Sequence, residues 1–207
     1  MTDLWTLVTT ERGVLGDDVA VLTPEQWGSQ SLCSGWTVRD VIAHLTAAAS
    51  TSPGAFFGQF AKAGFNFDKY AKAGLSRRLG TDTDATLAGF RAVQGSRTSP
   101  PGPKPTWLGE VVVHAEDIRR PLGIAHRYDP DAVRAVADFY KGSNTLIGAK
   151  NRIAGLTLKA TDQDWSTGTG PAVEGPLLSL VMAMTGRKAH VDDLTGAGVE
   201  TLRSRCK

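Results

Sequence analysis

Cysteines and long apolar runs are both scarce in this chain of 207 residues, and each scarcity excludes a class of protein. The two cysteines, Cys33 and Cys206, are fewer than the disulfide framework of a secreted protein usually needs. No run of about 18 apolar residues occurs, so no transmembrane helix is expected. The first residues, MTDLWTLVTTERGVLGDD, include early acids and no apolar block of signal-peptide length. We therefore expect a cytoplasmic protein.

An excess of charge of one sign is also missing. The chain has 23 basic and 21 acidic residues, for a net charge of +2. This balance gives no electrostatic reason to expect nucleic acid or an anionic membrane as a partner. The length is sufficient to bury a core without disulfides, and the 41% of hydrophobic residues is ordinary for a globular protein.

Hydrophobic periodicity predicts a mostly α-helical chain. Thr37 has the character of a helix N-cap, and Asp40 lies three residues later in the acidic position of a capping box. The first predicted helices cover residues 3–22 and 38–50, and residues 55–80 form one irregular helix or two short ones. A further helix, capped by Asp82 or Thr83, runs to about Gln94. The last two cover residues 107–120, after a Thr106 cap, and 130–149, after an Asp129 cap. The segment GSRTSPPGPKP, residues 95–105, is predicted to be a loop because of its prolines and glycines.

The pattern changes after Gly148. The segment GLTLKATD alternates like a strand, TDQDWSTGTGPAVEG is rich in turn residues, and LLSLVMAMTG is typical of an apolar helix. A turn and a short final helix are expected near the C-terminus. We therefore predict a helical domain over residues 1–150 and a small α/β unit over 151–207.

The most informative pattern is a glutamate and a histidine four residues apart, Glu110 and His114, on one face of a predicted helix. His44 lies on another predicted helix. Two histidines and one glutamate form a three-ligand set with an open position, which is typical of catalytic zinc. Nickel, iron or cobalt would accept the same ligands. The alternatives are a surface Glu–His pair and a hydrogen-bonded core histidine.

The neighbours of Glu110 favour the metal. Glu110 follows Gly109 and precedes three valines, so it lies in an apolar stretch of helix. A buried carboxylate needs a partner, and a metal ion supplies one.

Two segments, CSGWTVRDVIAHL and GEVVVHAEDIRRPLG, resemble the mycothiol-dependent maleylpyruvate isomerase family, within the DinB-like four-helix-bundle superfamily. The C-terminal run resembles that family's small C-terminal domain. The resemblance implies a DinB-like four-helix bundle followed by a small C-terminal α/β unit. It also implies a divalent metal, usually zinc, bound by His44, Glu110 and His114. Arg187, in the segment MTGR, lies in a motif similar to that of the family's catalytic arginine. Its alternative is a helix-end arginine that contacts terminal carbonyls.

The resemblance further implies mycothiol, the low-molecular-weight thiol of actinobacteria, as the thiol cosubstrate of an S-transferase or isomerase. The substrate would be a small electrophile whose identity stays open. One alternative is an enzyme of the same fold that uses another thiol or a metal-bound water as a hydrolase. The other is a non-catalytic metal-binding or ligand-binding protein, because fold does not decide function. The bundle could form a homodimer.

Further residues near the motifs allow two interpretations each. Cys33 precedes a helix N-terminus and is either a reactive thiol or a buried structural cysteine. Asp40 and Asp117 lie one turn from His44 and His114, where each could orient a histidine ring. Trp36 and Trp107 are expected to anchor helix starts, and His126 and His190 have no partner spacing. The aromatic residues between 56 and 70 either pack in the core or form one wall of a substrate pocket.

Overall fold

The computed structural model describes residues 3–144 and 147–206, and its internal contacts divide the chain into two units, residues 2–127 and 128–207. None of the described helices is long and apolar enough to cross a membrane. The first unit contains the helices α1 (Leu4–Ala20), α2 (Pro24–Trp27), α3 (Val38–Ser50), α4 (Pro53–Lys62), α5 (Phe67–Arg78), α6 (Thr83–Arg91) and α7 (Lys104–Leu122). The second contains α8 (Pro130–Tyr140), α9 (Ala149–Arg152), β1 (Thr157–Ala160), β2 (Ser166–Gly168), β3 (Ala172–Gly175), α10 (Leu177–Met184), a 3-10 helix (Lys188–Asp193) and α11 (Val199–Ser204).

Four helices of the first unit form a closed bundle. Helix α1 packs against α7, α7 against α3, α3 against α6, and α6 back against α1. The apolar faces meet inside the bundle, where Leu15, Ile42, Phe90 and Ile118 have no exposed surface or almost none. This arrangement confirms the predicted fold class, a helical bundle followed by a small α/β unit.

The predicted break in residues 55–80 is present as two helices, α4 and α5. Helix α5 packs on α3, and α4 contacts mainly α5. Helix α4 has no buried residue, so this hairpin lies outside the bundle core.

Helix α7 begins earlier and ends later than expected. Its N-cap is Pro103, not Thr106, and Pro105 lies in the first turn, where a proline gives up no helical hydrogen bond. It continues through Pro121 to Leu122 and ends at Gly123, whose left-handed φ of 67° suits a helix C-terminus.

Pro121 affects another part of the chain as well. A proline has no N–H to donate to the carbonyl four residues earlier, which here belongs to Asp117. The Asp117 carbonyl instead accepts a hydrogen bond of 2.9 Å from the backbone N–H of Leu32. The missing helical bond therefore lets α7 hold the loop that precedes α3.

The second unit has a three-stranded sheet of order β2-β1-β3, with β1 antiparallel to β2 and parallel to β3. The strand predicted in GLTLKATD is β1. The following segment, which is rich in turn residues, also contains β2 and β3, both of which pair with β1. Helix α10 packs on β1, β3 and α8.

Helix α8 is shorter than the predicted helix 130–149. Its Asp129 cap is present, but the helix stops at Tyr140 and turns at Gly142, and residues 145 and 146 lie outside the described part. Because α8 packs on α10, the division by contacts falls at 127/128 and not near 150. A domain boundary near 150 stays a prediction.

Candidate metal centre

The structure brings the three predicted ligands together. One ligand atom from each of His44, Glu110 and His114 lies within 4.8 Å of the others. His44 Nε2 is 2.5 Å from Glu110 Oε1, and His114 Nε2 is 3.7 Å from the same oxygen. All three side chains are partly buried, with exposed fractions of 17%, 26% and 12%.

Local sequence explains how each ligand reaches this place. The predicted capping box is present: Thr37 accepts a hydrogen bond from the Asp40 N–H, and the Asp40 carboxylate accepts one from the Thr37 N–H. This cap fixes the start of α3, the helix that carries His44. Glu110 and His114 lie one turn apart on α7, which packs against α3.

The spacing of these atoms can be compared with that around a metal ion. Two ligands of a tetrahedral zinc ion with bonds of about 2.1 Å lie about 3.4 Å apart. The separation of 3.7 Å between His114 Nε2 and Glu110 Oε1 is close to this value. His44 Nε2 and Glu110 Oε1, at 2.5 Å, form a short hydrogen bond. The donor set fits zinc if the separation of His44 Nε2 and Glu110 Oε1 widens by about 1 Å.

Asp117 holds the second nitrogen of His114. Its carboxylate Oδ2 lies 2.9 Å from His114 Nδ1, and the side chain is fully buried. A carboxylate accepts the Nδ1–H hydrogen, so Nε2 keeps its lone pair for a metal. The orienting role considered for Asp117 therefore has its contact in the structure. Asp40 differs, because its carboxylate accepts hydrogen bonds from Thr37 within the cap.

The loop before α3 places two more side chains beside the imidazoles. The ring of Trp36 lies 4.8 Å from that of His44 and 6.2 Å from that of His114, measured between centroids. Trp36 therefore covers the site, which the expected role of a helix anchor did not include. The Cys33 sulfur, a His114 nitrogen and an Asp117 oxygen lie within 4.8 Å of one another. Cys33 is half-buried and not fully buried as a structural cysteine would be.

Two residues outside the motifs interact electrostatically with Glu110. Burial lowers the pKa of the Arg12 guanidinium to about 10, and the charge of Glu110 partly opposes this shift. Burial raises the pKa of the Tyr70 phenol, and Glu110 raises it further. Arg12 lies four residues after Val8, on the apolar side of α1. A charged residue on an apolar helix face needs a buried partner, and this pattern could have indicated a role for Arg12.

The aromatic residues of 56–70 do not pack in the core, so the first of their two interpretations was wrong. Phe57 is 63% exposed and Phe65 is 73% exposed, because the hairpin of α4 and α5 lies outside the bundle. Tyr70, which belongs to this group, lies close enough to Glu110 for the charge of Glu110 to raise the pKa of its phenol.

Arg187 belongs to the second unit, where it precedes the 3-10 helix. Its Nη1 donates a hydrogen bond of 3.3 Å to the Thr185 carbonyl, one of the contacts expected of a helix-end arginine. His126 has a partner that spacing could not reveal, since its Nε2 lies 2.9 Å from Glu11 Oε2. His190 Nδ1 lies 3.8 Å from Asp193 Oδ2.

Two solved structures share the fold of this chain. One is a crystal structure of a histidine-to-alanine mutant of the mycothiol-dependent maleylpyruvate isomerase, with a TM-score of 0.64 and 17% identity. The other is a crystal structure of the mycothiol-dependent maleylpyruvate isomerase, with a TM-score of 0.62 and 17% identity. Each match covers 94% of this chain and 91% of the other. At this identity the likeness shows the fold alone.

None of the curated protein sequences is significantly similar to this chain. One family, described as the mycothiol maleylpyruvate isomerase N-terminal domain, matches residues 8–119. These residues are more than half of the chain and include His44, Glu110 and His114. The chain therefore belongs to the family of the mycothiol maleylpyruvate isomerase N-terminal domain.

Proposed function

We propose that His44, Glu110 and His114 bind one zinc ion, and that the protein uses mycothiol for S-transfer to, or cis–trans isomerisation of, a small electrophile. The observation that carries the proposal is the convergence of three ligand atoms from two helices within 4.8 Å. Membership of the family supports mycothiol as the thiol. Three protein ligands leave a fourth position for a substrate atom, as in catalytic zinc sites.

Zinc bound there would lower the pKa of a coordinated thiol, so that the nucleophilic thiolate forms at neutral pH. The residues of the chain prepare this place. Asp117 keeps the proton of His114 on Nδ1 and the Nε2 lone pair directed towards the metal position. Trp36 lies against both imidazoles, where it would shield one side of the site from water.

Electrostatics around Glu110 also suit this role. The buried Arg12 guanidinium interacts electrostatically with the Glu110 carboxylate, and a carboxylate that binds a metal must be ionised. Tyr70 places a protonated phenol near the same carboxylate. Arg187 would bind a carboxylate of the substrate, for which a guanidinium offers two parallel hydrogen bonds.

The first test is the metal content of the purified protein, measured by mass spectrometry without added metal. We expect about one zinc ion per chain in the wild type and none in His114→Ala, in which a ligand is lost. The matched control is His126→Ala, which also removes a histidine paired with a glutamate but lies outside the trio. Absence of metal from the wild type, even after incubation with zinc, would overturn the proposal.

The second test separates the thiol enzyme from a hydrolase of the same fold. The loaded protein is incubated with an electrophilic alkene or alkyl halide, with mycothiol, with another thiol, or without thiol. We expect turnover with mycothiol and none without a thiol. Turnover that needs no thiol would favour the hydrolase, and zinc binding without turnover would favour the non-catalytic protein.

A further inference from the structure

The hairpin of α4 and α5, residues 53–78, exposes more aromatic surface than its packing explains. Phe57, Phe65 and Phe67 are 63%, 73% and 41% exposed, and they contact other rings of the same hairpin. Three of the four large hydrophobic side chains that are exposed in the described residues belong to this short segment. Exposed apolar residues that cluster in this way mark a contact surface.

The turn of the hairpin adds a second anomaly. Phe65 has a φ of 58°, a left-handed conformation that bulky residues rarely adopt. It is also the most exposed of the three rings, so the backbone cost is not repaid by burial. The turn therefore holds a phenyl ring out towards solvent, and such an outlier is typical of a functional position.

Basic residues accompany the rings. The hairpin contains five basic residues and one acid, for a net charge of +4, whereas the whole chain carries +2. Lys62, Lys69 and Arg77 line a groove of the hairpin together with Gln59, which accepts a hydrogen bond of 2.7 Å from Arg77. In the parts of the chain that the structure describes, no carboxylate lies within 4 Å of these three cations. The balanced charge of the whole sequence conceals this local excess.

We propose that this hairpin docks the protein on an anionic membrane surface. Exposed aromatic rings enter the boundary between headgroups and acyl chains, and basic side chains of the same segment bind lipid phosphates. Zwitterionic lipid would accommodate the aromatic rings but would not attract the basic side chains. The proposal does not depend on the metal centre, because the rings and cations belong to another part of the unit.

Two other occupants fit less well. A second copy of the chain would bring two hairpins of charge +4 together, which Coulomb repulsion opposes. A single-stranded nucleic acid needs free ring faces for its bases. Here Phe60 lies between Phe56, which stacks on it at 5.3 Å, and Phe67 at 4.5 Å, so the ring of Phe60 is already packed against its neighbours in the hairpin.

The test is co-sedimentation of the full-length protein with vesicles of phosphatidylcholine alone or mixed with phosphatidylglycerol. We expect binding only to the anionic vesicles, and loss of it at about 0.5 M salt, where screening is strong. The double variants Phe57→Ser/Phe65→Ser and Lys62→Glu/Lys69→Glu should each lower the partition coefficient by about tenfold or more. Circular dichroism checks that both variants keep their helices.

Matched controls change the same kinds of residue elsewhere. Val21→Ser removes another exposed apolar side chain, which is 81% exposed at the end of α1, and Lys150→Glu reverses an exposed charge in the second unit. Both should bind vesicles like the wild type, and so should the metal-site variant His114→Ala. Equal binding to both kinds of vesicle, no binding at low salt, or unchanged binding by the double variants would overturn the proposal. The proposal would also be overturned if the wild type bound no vesicles and the double variants instead lost dimerisation or oligonucleotide binding.

Discussion

Replacing Asp117 by asparagine should weaken zinc binding although Asp117 is not one of the proposed ligands. The carboxylate accepts the Nδ1–H hydrogen of His114 at 2.9 Å from a fully buried position. An asparagine can present its NH₂ group to Nδ1 instead, which moves the ring proton to Nε2 and blocks the metal position. Loss of such an orienting carboxylate typically costs 10- to 100-fold in metal affinity, or about 1.4 to 2.7 kcal/mol.

The assay is a zinc titration against a competing chelator, with circular dichroism to confirm that the variant is folded. The control is Asp40→Asn, which also changes an aspartate one turn from a ligand histidine. The Asp40 carboxylate serves only the cap among the described residues, so this variant should lose up to about 1 kcal/mol of stability and keep its zinc affinity. A folded Asp117→Asn protein with the zinc affinity of the wild type would refute the reasoning.

Three further predictions concern stability and ionisation. Asp18→Ala should lower the free energy of unfolding by about 1.5 to 3 kcal/mol in urea denaturation, because it removes the carboxylate that accepts a hydrogen bond of 2.8 Å from Nε of the buried Arg119; a loss below about 0.5 kcal/mol would contradict this. Phe90→Ala should cost about 3 to 5 kcal/mol, because the ring is completely buried, and an unchanged melting temperature would show that the bundle core lies elsewhere. Glu110→Gln should lower the raised pKa of Tyr70, followed by NMR of labelled tyrosine, because it removes a negative charge that disfavours the phenolate; an unchanged or higher pKa would place Tyr70 away from the centre.

The proposed ligands show how far local patterns reach. The four-residue spacing of Glu110 and His114 is set by helix geometry, and the capping box of Thr37 and Asp40 needs only neighbouring residues. Both could therefore be predicted from the sequence. That His44 faces this pair depends on the packing of α3 against α7, and the resemblance to the family, not the spacing, indicated it. Zinc binding itself stays a prediction.

Other features of the centre had no local signal. Two aspartates, Asp40 and Asp117, lie one turn from a histidine, and the sequence alone could not tell which of them orients a ring. The structure distinguishes them because the Asp40 carboxylate is used by the cap. Trp36 lies beside the imidazoles because it belongs to a loop that is held by the hydrogen bond from the Leu32 N–H to the Asp117 carbonyl.

The sequence by itself determined the helical class, most helix positions, the cap of α3 and the spacing of Glu110 and His114, because periodicity and capping act within about one or two turns. The tertiary structure decided which aspartate supports the centre, how Arg12 and Tyr70 come near Glu110, and that the aromatic hairpin lies outside the core. These outcomes depend on contacts between residues far apart in the chain. Such contacts are fixed by how whole helices pack, and a short sequence pattern does not contain that information.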